Sequence, residues 1–434
     1  MPRGRKQAAP AASHAKKPMQ VKNVATKQAE KKEAKVKKDA TRQAVKQKVA
    51  NNVDSSSLVS VIGNHILNPD ITMPKQVEDK ILKLLKDSPF DGKVKLGSAC
   101  TGWVVASQAA RMEPCIPHDI MFGCDNNTHV EAFARANFTI LKWFQDVFEP
   151  GFIEAGHVDL FDFGAPCQPW SRANTRGHVH GADDHRAHVV VPIVKYIAAN
   201  FPKFWLMEQV MTILKGPGLA FLRELIKHIH DVTYGAYDIN IFTKNAKDAA
   251  LPQDRSRVFM IGRLKLAVPR QINFDRCCSQ TGAPANLRNI YSIGALELAK
   301  YITTGKACKN AQLGATAEKN LIEAYGMMVE AGIKPDQTPM VIDLGGSKVQ
   351  LKYNSFPTMT ASRCSSRAYW STELKRYFNM EELIRGQGGC PGKLDWSMIS
   401  ENAMGSIVGN AIAVPVFRQF LVRIMNALWS TTVS

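Results

Sequence analysis

The chain has 434 residues, 45% of them hydrophobic and 22% charged, enough to build a substantial core and too apolar for a chain disordered throughout. Its nine cysteines are odd in number and include no Cys-x-x-Cys pair, which argues against a disulfide scaffold and for free thiols in a reducing compartment. No N-terminal stretch has signal-peptide character and no run approaches the ~18 apolar residues that crossing a membrane needs, so a soluble protein with no membrane partner is expected.

The formal charge of +18 is concentrated at the front, where residues 1–50 hold 15 Lys/Arg against 3 Asp/Glu. Residues 1–53 are rich in Ala, Lys, Gln and Val and nearly free of aromatics, so a disordered tail, or one that becomes helical on contact, is expected. Such a tail fits a polyanion, because each cation that neutralises a phosphate releases counterion. A solubilising segment or a nuclear-import signal fits the same composition.

Residues 54–90 form a lead-in whose stretch "QVEDKILKLLKD" spaces its apolar residues as a short amphipathic helix. From "DGKVKLGSAC" onward, strand-like and helix-like segments alternate: "IMFGCD" and "THVEAFARANF", "VDLFDFGAP" and "HVVVPIVKYIAANF", "KFWLMEQV" and "LAFLRELIKHIH", then "YDINIFT" and "RVFMIGR". This pattern predicts an α/β fold, a parallel sheet with helices on both faces. Residues 91–263 would form that domain, completed by a C-terminal helix within 404–434. Residues 264–403 lose the alternation and read as a smaller, irregular domain.

Ligands of open α/β sheets sit beyond the carboxyl ends of the strands. Four stretches stand there: Asp125, Cys167, Glu208 and "PQDRSR" with Arg255 and Arg257. Prolines on both sides restrain Cys167, and nearby arginines are expected to lower its pKa and favour the nucleophilic thiolate. The plainer reading is a small buried apolar residue. Glu208 is bordered by bulky apolar side chains, a setting that favours the neutral, proton-donating carboxyl; the alternative is an ordinary pairing with Lys203 or Lys215. The loop "SRANTRGHVHGADD" has the glycines and cations of a closing flap, or of a plain surface loop. Its histidines lack the defined spacing of metal ligands, so no metal is expected.

Five ordered motifs carry a resemblance to the cytosine-5 DNA methyltransferase family: "GAPCQPWS", "MEQV", "PQDRSRVFMIG", "EELIRGQGG" and "SIVGNAIAVPV". The resemblance implies a Rossmann-like methyltransferase sheet and a smaller target-recognition domain. It also implies transfer of a methyl group from S-adenosylmethionine to carbon 5 of cytosine in double-stranded DNA, on a base turned out of the helix. Cys167 would be the nucleophile, Glu208 the group at ring nitrogen 3, Arg257 the partner of the 2-oxo oxygen and Arg255 a support. Gly102, Asp125, Asp146, Pro166 and Asn410 would serve the cofactor, with Asp125 on the ribose and Asp146 on the adenine. Gln168, Ser171, Arg172, Arg176 and Gln253 would face nucleic acid. The chain departs from the pattern at Gln209, where asparagine is usual, and at Leu96-Gly97-Ser98, where Phe-x-Gly is usual.

Two other readings share these residues. One is a cytosine-5 methyltransferase acting on transfer RNA, since residues 264–355 carry no readable substrate code. The other is a non-catalytic chromatin or nucleoid protein that only senses the cofactor. The tail and substrate place the protein in the nucleus, or at the nucleoid of a bacterial source.

Overall fold

A computed structural model describes residues 71–171, 181–272, 274, 287–290 and 313–431. The basic tail, Arg172 and Arg176 lie outside the described residues. The first described helix, α1 (Lys75–Asp87), exposes its lysines and buries Ile81. Strands and helices then follow as β1 (Val94–Ala99), α2 (Val105–Ala110), β2 (His118–Cys124), α3 (Thr128–Asn137), β3 (Ile140–Phe144), β4 (Leu160–Phe163), α4 (Val190–Asn200), β5 (Phe204–Val210), α5 (Pro217–Val232), β6 (Tyr237–Asn245) and β7 (Ser256–Leu264).

These strands form one seven-stranded sheet in the order β3-β2-β1-β4-β5-β7-β6. β1 to β5 pair in parallel, and β7 runs antiparallel between β5 and β6. That last strand differs from the all-parallel expectation. The strands are buried on both faces because their side chains alternate between two cores. Leu160, Leu206 and Ile261 point to one core, while Phe161, Phe163, Trp205 and Met207 point to the other beside Tyr196 and Ile229.

The order reverses between β1 and β4, which places a crevice beyond their carboxyl ends. A Cβ on Gly97 would lie 2.4 Å from the ring of Phe122, its partner in β2, so β1 must supply a glycine there.

The later elements are α6 (Ala315–Glu330), β8 (Met340–Asp343), β9 (Gln350–Tyr353), α7 (Ala361–Ser365), β10 (Tyr369–Ser371), β11 (Arg376–Tyr377), α8 (Met380–Gly386), α9 (Glu401–Asn410) and α10 (Val414–Ser430). Residues 340–377 hold an antiparallel four-stranded sheet, β11-β10-β8-β9, more regular structure than the sequence pattern led us to expect. Its Val341 and Tyr369 share a continuous core with Leu96 and Leu206 of the large sheet. The C-terminal helix α10 returns to that sheet, with Phe420 centred 4.9 Å from Phe259 and 5.2 Å from Phe242. Arg418 of the same helix donates to the carbonyls of Ala109 and Pro114.

Candidate active site

β4 ends at Phe163, and Gly164-Ala165-Pro166 leads to Cys167, which opens a 3-10 turn over Gln168–Trp170. The amide of Trp170 donates to the Cys167 carbonyl at 3.1 Å and closes the turn. Cys167, Gln168 and Ser171 are all half-buried, so the thiol is neither sealed in the core nor freely exposed.

The expected lowering of the Cys167 pKa is corrected by the structure. Burial and the nearby Glu208 carboxylate push the thiol up, and the opposing pull of Arg257 and Arg255 does not overcome them. All four groups therefore act on one another at this end of the sheet.

Glu208 lies in β5, where Glu208 pairs with Phe259 and Val210 with Arg257 across the antiparallel ladder. That register puts Glu208 and Arg257 on the same face. Arg257 Nε stands 2.8 Å from Glu208 Oε1, with both side chains largely buried. The N–H is not aimed along this contact, so it is an ion pair in which Oε1 accepts no hydrogen bond. The site thus holds a carboxylate–guanidinium pair rather than the lone carboxyl suggested by its apolar flanks. Lys203 is occupied elsewhere, 2.7 Å from Asp159, and Lys215 is exposed.

Gln209 turns to the opposite side of the strand. Its Nε2 donates to the Ala165 carbonyl at 2.9 Å and more weakly to that of Pro166 at 3.4 Å. The longer side chain in place of asparagine therefore has a defined contact on the Cys167 turn.

Arg255 is buried, and its Nη1 donates to the carbonyls of Met359 at 2.7 Å and Gly409 at 3.4 Å. Burial, with Arg257 nearby, lowers its pKa to about 10. Arg255 thus ties the site to α9 and to the segment before α7. Nothing local in the sequence marks Met359 and Thr358 as neighbours of the site, yet the Thr358 hydroxyl donates to the Asp254 carbonyl at 2.7 Å.

Gln253 requires a correction. It is fully buried, and its Nε2 donates to the Gly386 carbonyl at 3.1 Å and to Gln387 Oε1 at 2.6 Å. Gln387 in turn donates to the carbonyls of Val408 and Ala411. In this conformation Gln253 offers no surface to a nucleic acid and instead joins the arginine loop to α8 and α9.

Three of the residues expected to serve a cofactor, Gly102, Asp125 and Asp146, follow the ends of β1, β2 and β3. Asp125 accepts from the Gly102 amide at 2.9 Å through one oxygen and from the Asn127 amide at 3.0 Å through the other. Burial raises its pKa. Asp146 follows β3 and accepts from the Phe148 amide at 3.1 Å. Gly102 has φ +51°, and a Cβ there would meet nothing nearer than the Cys100 carbonyl at 3.8 Å, so this turn faces open space. Carboxylates at two adjacent strand ends beside an open backbone turn suit the hydroxyls and adenine amine of S-adenosylmethionine, since each oxygen keeps a further lone pair. Asn410, exposed at the end of α9, follows the Gly409 carbonyl that Arg255 holds. Among the described residues, no cluster of three or more His, Cys, Asp or Glu could hold a metal ion.

One buried acid was not singled out from the sequence. Asp162, inside the apolar run of β4, accepts from the Ser98 hydroxyl at 3.1 Å through Oδ2, while its Oδ1 is buried with no hydrogen bond. An acid within "LFDF" is the only local signal for it.

A family model described as C-5 cytosine-specific DNA methylase matches residues 119–426. Among curated relatives, the type II methyltransferase M.MthTI of Methanothermobacter thermautotrophicus is 35% identical over 115 residues, 25% of this chain and 33% of that protein. M.NgoPII of Neisseria gonorrhoeae is 34% identical over 105 residues, 24% of this chain and 29% of that protein. The chain thus matches about a third of the length of those relatives. Among solved structures, the S. pombe Dnmt2 methyltransferase has a TM-score of 0.52 at 16% identity, covering 77% of this chain and 99% of that one. The Entamoeba histolytica methyltransferase EhMeth has the same TM-score at 15% identity, covering 78% of this chain and 99% of that one, and at such identities the likeness is one of fold. With its family model spanning most of the chain, the protein belongs to the C-5 cytosine-specific DNA methylase family.

Proposed function

We propose that the protein methylates carbon 5 of cytosine in double-stranded DNA through a covalent Cys167 adduct on a base turned out of the helix. The observation that carries this reading is the grouping of Cys167 with the Glu208–Arg257 pair at the ends of β4, β5 and β7. The family model names DNA, which favours that polymer as substrate.

In this mechanism the Cys167 thiol passes its proton to the neighbouring Glu208 carboxylate and the sulfur adds to carbon 6 of the ring. Glu208, now protonated, shares that proton with ring nitrogen 3 as negative charge develops there, and Arg257 binds the 2-oxo oxygen. Drawing Glu208 into that bond also relieves its repulsion of the sulfur anion, which the raised thiol pKa makes costly in the free protein. Carbon 5, now electron-rich, takes the methyl group. Loss of the carbon-5 proton to water then restores the ring double bond and expels the thiolate, which regains its proton from ring nitrogen 3 by way of Glu208. S-adenosylmethionine, the family's cofactor, would supply the electrophilic methyl group, and Asp125, Asp146 and Gly102 would hold it. A stacked base cannot meet both sulfur and methyl donor, so extrusion at a cost of a few kcal/mol belongs to the proposal. The basic tail would hold the polymer's backbone.

The test uses labelled S-adenosylmethionine with duplex DNA and, separately, transfer RNA. Label in DNA cytosine that is lost in Cys167→Ser supports the reading. Label in transfer RNA alone replaces the substrate, and label in neither supports a non-catalytic protein.

A further inference from the structure

The ladder between β4 and β5 ends at the pair Phe163–Met207, four residues before Cys167. Beyond that pair the turn carrying the nucleophile has no strand partner in β5. Two side chains from the exit of β5 take the ladder's place. Upstream of Cys167, Gln209 Nε2 donates to the carbonyls of Ala165 and Pro166, while its Oε1 accepts from the Val210 amide at 2.9 Å. Downstream, the Thr212 hydroxyl donates to the Trp170 carbonyl at 2.5 Å. The Trp170 ring is itself packed 4.5 Å from Phe221 on α5. Gln209 is only 2% exposed, so water cannot readily replace its bonds.

We propose that Gln209 and Thr212 are positioning residues that bracket Cys167, locking its turn to the strand that carries Glu208 so that nucleophile and acid move as one body. Gln209 follows the acid directly and Thr212 lies three residues later, so one short segment sets the position of the sulfur relative to the carboxyl. Such a link matters because a misplacement of about 1 Å can cost about 100-fold in rate. The proposal rests on Cys167 and Glu208 acting together in methyl transfer.

The test compares the full chain with Thr212→Val, Thr212→Ser and Gln209→Met. Two quantities are read: the iodoacetamide alkylation rate of Cys167, mapped by peptide mass spectrometry, and kcat and KM for duplex DNA methylation. Buried Cys364 reports general loosening. Thr212→Val and Gln209→Met should alkylate several-fold faster at Cys167 but not at Cys364, with kcat falling by up to about 100-fold and KM little changed. Thr212→Ser, which keeps the hydroxyl, should restore both. Parent-like alkylation and kcat in Thr212→Val and Gln209→Met would overturn the proposal, as would Cys364 reacting in step with Cys167. If the parent transfers no methyl to DNA, the substrate reading fails, and the alkylation rates alone decide the bracket.

Discussion

Arg257 Nε sits 2.8 Å from Glu208 Oε1, whereas Arg255, two residues earlier and just before β7, gives its Nη1 to the carbonyls of Met359 and Gly409. One guanidinium faces the reacting groups and the other fastens the structure around them. Arg257→Ala is therefore expected to lower methyl transfer by about 100- to 1,000-fold, the scale for losing one donor to a developing charge. Arg255→Ala is expected to reduce unfolding free energy by about 1.5–3 kcal/mol, the scale of hydrogen bonds from a charged group. Denaturant titration alongside single-turnover kinetics separates them, and equal stability losses would contradict the division.

The Cys167 thiol titrates above its ordinary range because of burial first and the Glu208 carboxylate second. Glu208→Gln removes that negative charge and frees Arg257, and both changes favour the thiolate. The pH profile of Cys167 alkylation should move to lower pH in Glu208→Gln and to higher pH in Arg257→Met. A Glu208→Gln profile that stays in place or moves upward would show that the carboxylate does not act on the sulfur.

Burial raises the Asp162 carboxyl from 3.8 to about 7, partly offset by the Ser98 hydroxyl. The folded chain therefore keeps a proton that the unfolded chain releases, and stability falls as pH rises between those two values. Asp162→Asn removes this penalty and keeps an acceptor for Ser98. Its stability relative to the parent should rise across that window and level off above it, by an amount on the order of a few kcal/mol. Denaturant unfolding at several pH values provides the measurement; a gain independent of pH would mean that Asp162 does not carry the proton.

Gln253 belongs to a buried chain of amides running through Gln387 to Val408 and Ala411. Gln253→Leu leaves Gln387 and the Gly386 carbonyl without their donor and should cost about 1–3 kcal/mol of stability. The salt dependence of DNA binding should be unchanged, since no phosphate contact is lost. Unchanged stability with a shallower salt slope would instead make Gln253 a backbone contact.

The strands that could be read from the sequence were those with continuous apolar runs, such as "LFDF" and "FWLMEQV", because burial on both faces demands that composition. β3 has no such run, because it lies at the sheet edge and exposes Leu141 and Lys142 within five residues. β8 to β11 are two to four residues long, too short for alternation to register. The direction of β7 leaves no compositional trace. Within the site, residue types at strand ends pointed to Cys167, Glu208 and Arg257. Local sequence could not reveal that Arg255 reaches carbonyls 104 and 154 residues away, or that Gln253 turns inward. The direction of the Cys167 shift is not legible in the sequence for the same reason, since burial and the proximity of Glu208 are properties of the folded chain.

The central claim is that the Cys167 sulfur bonds to carbon 6 of a target cytosine beside Glu208 and Arg257. Duplex DNA carrying 5-fluorocytosine tests it directly, because fluorine cannot leave as a proton does and the adduct persists after methyl transfer. The account predicts a stable protein–DNA complex, dependent on S-adenosylmethionine, whose modified peptide maps to Cys167 and which Cys167→Ser does not form. An adduct at another residue, or methylated DNA with no trapped complex, would contradict it.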